Sequence, residues 1–561
     1  MDSFGALKRR ATDIIKALPE SLPSLPARKH RQGASLKGTW ERISVPPLPR
    51  SSHSIDVVAG TAYIFGGELN PRQPVDNDVH AVTLPVSSAP ADYYAIKARS
   101  ENTASGIARE GKAAEGDDVP APRVGHATAV LGSRIFLFGG RGGPDMQPLE
   151  ERGRVWIFDT RTHVWSHLDP ALPAVPPGTL AGDEGEPTPR YPEARSYHAA
   201  TATDKPSTSG GSSGHRRKMS SLGDGAPIKP LSRSESWRQW VMGDADEIGT
   251  PQHPIVGNVA ANATDPDSEG FGTFIIHGGC LANGRASDTW AFDVRSRVWK
   301  ELPRAPGKAR GGTAICISKS RLYRFGGFNG ESEEGGQLDM LDLGVDTFDD
   351  QRVNDGEVVL TARGPWRSLV QFRDIDYSAS GDDETTPEAE AAAAAAAAAG
   401  TADANAATPL TQTMQAPGDV WPGPRSVAAL EALNVGGGRE YLVLALGERQ
   451  PSNAGHAAAG LFWDDVWVFQ VPPKGMSAAS VRDAVLQAVG KDSGEGRWVK
   501  VNVRPYGDGT DIEDPSAAGP GPRGWIASAA VGDVEENALV IWGGLDATNN
   551  RLGDGWILRL D

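Results

Sequence analysis

Two cysteines in 561 residues, Cys280 and Cys316, are too few to staple a secreted chain of this size. Both sit in apolar, strand-like runs, so a reducing compartment, the cytosol, is expected. No stretch approaches the roughly 18 consecutive apolar residues that a membrane span needs. Basic charge is also in short supply. The 56 lysines and arginines face 72 aspartates and glutamates, a net charge of -16, which argues against nucleic acid or an anionic membrane as the main partner. The first segment, MDSFGALKRRATDIIKAL, carries Asp2 and Asp13 and lacks the apolar core of a secretory signal, so residues 1–37 read as a flexible tail. What the chain has in abundance is punctuation. With 67 glycines, 42 prolines and 39% hydrophobic residues, it reads as many short elements joined by turns rather than as long helices.

The punctuation repeats. Six copies of one pattern open on an arginine, in PRSSH (Arg50), PRVGH (Arg123), ARSYH (Arg195), ARGGT (Arg310), PRSVA (Arg425) and PRGWI (Arg523). Each continues through a strand-like run to a glycine pair, as in YIFGGE, FLFGGR, FIIHGGC, YRFGGF and VIWGGL, with VLALGE as a degenerate fifth copy. A third run and usually a tryptophan follow. Arg50 to Gly66, Arg123 to Gly139 and Arg310 to Gly326 are each 16 residues apart, whereas Arg195 to Gly278 is 83. About 67 extra residues therefore lie inside the third copy. Four short antiparallel strands per copy make a propeller blade of the kelch type. The last copy ends at Asp561 without a fourth strand, while TWERISV around Trp40 precedes the first copy and has no blade of its own. The expectation is a six-bladed propeller over residues 38–561, closed by the Trp40 strand as the outer strand of the last blade. An open solenoid or a pair of sandwiches does not explain why that strand is missing at one end and present at the other.

Three stretches fall outside the pattern, about 100–118, 204–270 and 376–418. They are polar, Ser/Gly-rich, acidic or alanine-rich, too poor in apolar residues to pack a core, and are expected to be disordered. Ser220 and Ser221 follow the basic cluster RRK, and Thr12 follows KRR; both spacings fit a basophilic kinase, and both also fit solvated chain. SAASVRDAVLQAVG reads as a short amphipathic helix decorating the fifth blade.

Strands alternate in direction, so the start of the first strand and the end of the second share one face. The six arginines, Arg50, Arg123, Arg195, Arg310, Arg425 and Arg523, are therefore expected to ring one mouth of the channel, as a site for an anion such as sulfate or carboxylate. The alternative is structural: kelch arginines satisfy carbonyls or pair with carboxylates between blades, with Glu68 and Glu448 as candidates. His53, His126 and His198 each stand three residues after an arginine, a regularity that favours structure over metal ligation. Glu448, Ser452 and His456 fall at steps of four in GERQPSNAGH. Glutamate and histidine suit iron or zinc, but serine is a poor third ligand, and Pro451 and Gly455 read as an irregular loop.

FGGELNPRQPVDNDVHAV, PRVGHATAVLG, GGCLANGRASDTWAF and GERQPSNAGHAAAGLF, in this order, resemble the plant nitrile-specifier and epithiospecifier kelch proteins and their non-specifier relatives. The resemblance spans all six blades. It implies an Fe(II)-binding Glu-x3-Asp-x3-His loop in the fifth blade that promotes non-hydrolytic breakdown of sulfated thiohydroximates to nitriles. Glu448 and His456 match the first and third ligands, and Ser452 stands where the family has aspartate, with water, Asp464 or Asp465 left to complete a site. It also implies that Arg123 and Arg195 contact the sulfate. Two functions follow as expectations. One is a cytoplasmic interaction module that binds a protein partner on its loop face or a small anion at the channel mouth. The other is an Fe(II)-dependent, specifier-like protein.

Overall fold

A computed structural model describes residues 36–85, 90–100, 118–171, 190–205, 272–347, 358–371, 412–415, 421–436, 439–455, 458–472, 496–505 and 519–561. The expected tail, most of the three insertions, Ser220, Ser221, Thr12, His456 and the expected helix lie outside the described residues.

Six sheets, each built on four antiparallel strands, form the blades. In blade 2, Ala127–Leu131, Arg134–Phe138, Val155–Asp159 and Val164–Leu168 pair in chain order. Blades 1 and 3 to 5 begin with Ser54–Val58, Ala199–Thr203, Ala314–Ser318 and Ala429–Asn434. Blade 6 takes three strands from the end of the chain, and its fourth is Lys37–Ile43, antiparallel to Gly555–Leu560 with Trp40 opposite Leu558. The Trp40 strand thus closes the propeller, as expected.

Two blades carry a fifth, parallel strand at the outer edge. Asn502–Pro505 crosses from blade 5 to cover Lys37–Ile43. Gln412–Gln415, inside a segment expected to lie outside the pattern, pairs with Arg367–Val370 of blade 4. Blade 1 lacks the fourth-strand tryptophan, and Tyr93 takes its register, opposite Val82 as Trp165 is opposite Phe158.

The core is distributed between the blades. Six apolar clusters fill the six interfaces; one packs Tyr63 and Phe65 of blade 1 against Trp156, Phe158 and Trp165 of blade 2. Both faces of every sheet are therefore buried, and the strands read as near-continuous apolar runs. The 16-residue offset has a direct cause. Arg123 Nη1 donates to the carbonyl of Gly139 at 2.9 Å, and Arg50 and Arg310 do the same to Gly66 and Gly326. The second glycine of each pair then donates its N–H to the arginine carbonyl of the next blade, at 2.9–3.0 Å six times around the ring. A side chain on Gly326 (φ 70°) would place its Cβ 2.2 Å from the Arg425 carbonyl oxygen, so the first position favours glycine. In blade 5 that position is Leu446 at φ 59°, and Arg425 bonds its carbonyl instead.

A second ring lies closer to the axis. The residue two after each arginine is left-handed: Ser52, Gly125, Tyr197, Gly312, Val427 and Trp525 have φ from 46° to 63°. Each donates its N–H to the carbonyl of its counterpart in the preceding blade, at 2.6–3.2 Å, and Ser52 closes the circle onto Trp525. Holding β-branched Val427 there is costly. The closed circle compensates by satisfying all six amides.

Candidate functional site: a cup at the channel mouth

Above this circle of amides sits a cup of about 310 Å3. Its walls come from two repeated positions. The first is the residue after each glycine pair: Glu68, Arg141, Cys280, Phe328, Glu448 and Leu545, which bridge back to the residue after the arginine of the same blade. The second is the hairpin residue opposite, which supplies Arg285 beside Cys280 and Arg551 beside Leu545; the equivalent Glu333, beside Phe328, does not line the cup but bonds the lining residue Ser426. Tyr197 and Trp525 rise from the floor, ring centroids 5.3 Å apart in edge-to-face packing.

The six repeat arginines are not among the lining residues. Their spacing puts them at the mouth, but each turns into its own blade and is buried, at 5% exposure or less. Arg195 grips both oxygens of Asp288 at 2.6 and 3.0 Å, Arg425 those of Asp465, Arg523 those of Asp554 and Arg123 those of Glu151. Arg310 faces Glu334 at 3.7 Å, and Arg50 meets His80 at 3.0 Å. A tryptophan close by in the chain, such as Trp290 or Trp467, donates its indole N–H to the same carboxylate. A buried guanidinium without its counter-ion would be costly, so the pairing is what permits burial. This corrects the choice of partners and of ligand-facing groups. Neither Glu68 nor Glu448 pairs with a repeat arginine, and Arg123 and Arg195, expected to meet sulfate, have their guanidiniums filled by carboxylates.

The cup has its own cations. Arg141 lies over Tyr197, 5.5 Å from the ring centroid, with Nε donating to Ser196 Oγ at 2.9 Å. Arg285 lies over Phe328 at 5.1 Å, and its buried Nε has no partner. Among the described residues, neither pairs with a carboxylate. Arg551 is different: its Nη2 binds Glu68 at 2.8 Å. Opposite, Glu448 is buried and accepts from the Trp525 side chain, and burial pushes its carboxyl up to about 7. Glu333 accepts from Ser426 Oγ at 3.1 Å, and burial, reinforced by Glu448, raises it to about 8.

The fifth-blade loop starts from Glu448, in a short hairpin with Leu461–Phe462. Ser452 Oγ accepts the N–H of Ala454 at 3.1 Å, so the serine caps its own turn. Asp465 is held by Arg425 and Trp467, and Asp464 is exposed. Among the described residues no three of His, Cys, Asp and Glu gather as a metal-binding group. Of the ligands implied for ferrous iron, the described residues supply Glu448 alone, with a neutral hydroxyl already engaged. The third implied ligand, His456, lies outside the described residues, and at the second a neutral hydroxyl is a poorer iron ligand than aspartate. His53, His126 and His198 are buried against neighbouring blades and held well below the usual histidine range by desolvation and their adjacent arginines.

The sequence reading missed Arg141, Arg285, Glu333, Tyr197 and Trp525. For Arg141, Tyr197 and Trp525 the signal was present as two alignment columns, the residue after the glycine pair and the residue two after the arginine; Arg285 and Glu333 stand on hairpins of varying length and have no fixed offset. Chemistry varies from copy to copy in those columns, while the arginine column stays constant because it does the same job in each blade.

Comparison with known proteins agrees with this architecture. The Kelch motif model matches residues 122–170, which is blade 2. An N-(sulfonatooxy)prop-2-enimidothioate sulfolyase of Thlaspi arvense is 28% identical over 30% of this chain and 38% of that protein. Kelch domain-containing protein 3 of Bos taurus is 32% identical over 25% and 33%. The Rab9 effector protein with kelch motifs of Gallus gallus is 30% identical over 19% and 24%. The matches thus span from about a quarter to two fifths of these relatives' lengths. With six blades in register and these sequence matches, the chain is a kelch-repeat β-propeller protein related to the specifier family.

Proposed function

We propose that this propeller is a binding module whose mouth cup takes a small organic anion. The observation that carries the reading is the state of Arg141 and Arg285. Both line the cup, stacked on aromatic faces, with no carboxylate partner among the described residues. In a chain of net charge -16, two unneutralised guanidiniums over aromatic rings offer a planar, bidentate-capable seat for sulfate or carboxylate, with an apolar wall for the rest of the ligand. The sulfated compound in the name of the Thlaspi relative belongs to that chemical class. The reading does not require iron.

The test is calorimetric titration with phenyl sulfate and with benzoate. The expected result is saturable binding that weakens about tenfold, one charge-assisted contact, in Arg141→Gln and in Arg285→Gln. No binding of either compound at millimolar concentration would overturn the reading.

A second reading, a protein docking on the same face, is favoured by Leu69 and Leu461, each 49% exposed on the first- and fifth-blade hairpins beside the cup. It predicts that Leu69→Asp with Leu461→Asp abolishes capture of a partner while leaving phenyl sulfate binding intact. The two free thiols, Cys280 and Cys316, fit the reducing cytosol we propose as its compartment. No helix among the described residues is long and apolar enough to cross a membrane.

A further inference from the structure

Charge in the cup is segregated by blade. Blades 2 and 3 contribute Arg141 and Arg285, blade 5 contributes Glu448, and blades 6 and 1 contribute Arg551 and Glu68, which neutralise each other at 2.8 Å. One side therefore offers two cations and another a carboxyl, and neither has a counter-ion among the described residues; Glu333 of blade 4 does not line the cup but holds a residue that does, Ser426. Trp525, beside Glu448, and Tyr197, beside Arg141, stand between them on the floor. Glu333 adds a second signal: Oε1 takes the Ser426 hydroxyl, while Oε2 is buried with no partner.

We infer that the ligand of the cup is a small aromatic or apolar zwitterion, its carboxylate or sulfate on Arg141 and Arg285 and its ammonium on Glu448. This rests on the anion-binding reading above and narrows its ligand class. A simple anion would leave Glu448 desolvated and unmatched, and a simple cation would leave the arginine side so. An ammonium carries three donors for the Glu448 carboxylate, and Glu333 adds a second acidic group nearby. Burial raises the Glu448 carboxyl to about 7, and an ammonium beside it favours its charged form. The rings supply an apolar floor, and the ammonium gains further from the Trp525 face. The cup's 310 Å3 suits a molecule of about the size of an aromatic amino acid.

The test uses a matched set that shares one ring: 4-(aminomethyl)benzoate carries both charges, 4-methylbenzoate the anion alone and benzylamine the cation alone. Titration of the full chain is expected to give 4-(aminomethyl)benzoate at least about tenfold tighter than either half, one added charge-assisted contact. In Glu448→Gln, which keeps shape, the preference of zwitterion over anion is expected to fall to about one. Glu333→Gln, which keeps the acceptor for Ser426, is expected to lower the same ratio less, and unchanged thermal melting of either variant confirms that folding is intact. If 4-methylbenzoate binds as tightly as the zwitterion in the wild type, the inference fails and the anion-binding reading stands. If benzylamine alone matches the zwitterion, or none of the three binds while the protein is folded, the inference and the anion-binding reading fail together.

Discussion

Within blade 2, Arg123 and Arg141 lie 18 residues apart and meet at the same rim, yet they live in different environments. Arg123 is fully buried, bound to the Gly139 carbonyl and to both oxygens of Glu151. Arg141 is half-buried, held at one nitrogen by Ser196 and otherwise facing the cup. The first belongs to a set of six that recurs in every blade; the second occupies a column where the six blades carry Glu, Arg, Cys, Phe, Glu and Leu. Repetition marks the architecture and variation marks the site. A residue needed identically in six places is holding the blades, and a ligand seat must break the sixfold symmetry to prefer one molecule.

Removing a member of the repeated set should have the largest effect. Arg425 and Asp465 are 0% and 5% exposed, so Arg425→Ala strands a buried carboxylate and is expected to cost about 3–5 kcal/mol, read from urea unfolding. A loss below about 1 kcal/mol would show that the buried arginines are not load-carrying struts. Arg285→Gln sharpens the contrast from the other side, with about tenfold weaker phenyl sulfate binding and a midpoint within about 0.5 kcal/mol of wild type.

The same division runs through the carboxyl groups. Asp288 and Asp554, gripped by Arg195 and Arg523, are held below the usual range despite burial. Asp56, Glu431, Glu448 and Glu333, without an arginine, are pushed by burial up to about 7, 8, 7 and 8. A folded-state pKa above the unfolded one means that the folded chain binds more protons, so these four lower stability as pH rises from about 4.5 to 8. The buried histidines His53, His126, His198 and His277, held low, act oppositely and lower stability as pH falls below about 6.5. The histidine contribution fades over about pH 6.5 to 7.5, where the four carboxyls, still titrating in the folded chain, outweigh it. The melting temperature should therefore fall between pH 6.5 and 8, and Glu431→Gln should flatten that fall. A melting temperature that rises over this window would contradict the assignment.

The smallest effect is expected in the fifth-blade loop. Ser452→Ala removes only the cap on the Ala454 N–H and should change stability by no more than about 0.5 kcal/mol. Ferrous ion added anaerobically should shift the melting of wild type and variant equally. A shift confined to the wild type would make Ser452 a metal ligand.

Much of the fold was legible because the repeat encodes it in plain distances. The 16-residue offset is a hydrogen bond from guanidinium to glycine carbonyl, and the orphan Trp40 strand fills the gap left by Gly555–Leu560. The parallel strand Gln412–Gln415 was not legible, because pairing at an outer edge needs no repeat signature. The site was half legible. Glu448 lines the cup at the channel mouth, and the arginine column, read either as a ligand ring or as structural ties, turns into its blades. Sequence shows that an arginine recurs; it does not show which way the side chain turns. The clue lay in the repeated DTW, DVW and DGW, whose aspartates, Asp288, Asp465 and Asp554, are the partners that fill those guanidiniums.

The most direct test sets Arg123→Gln beside Arg141→Gln, measuring thermal melting and phenyl sulfate affinity on both. The expected result is that Arg123→Gln melts several degrees lower and, while folded, binds like wild type, whereas Arg141→Gln melts like wild type and binds about tenfold more weakly. Full stability with lost binding in Arg123→Gln, and unaltered binding in Arg141→Gln, would contradict the division between the arginines that hold the blades and those that face the ligand.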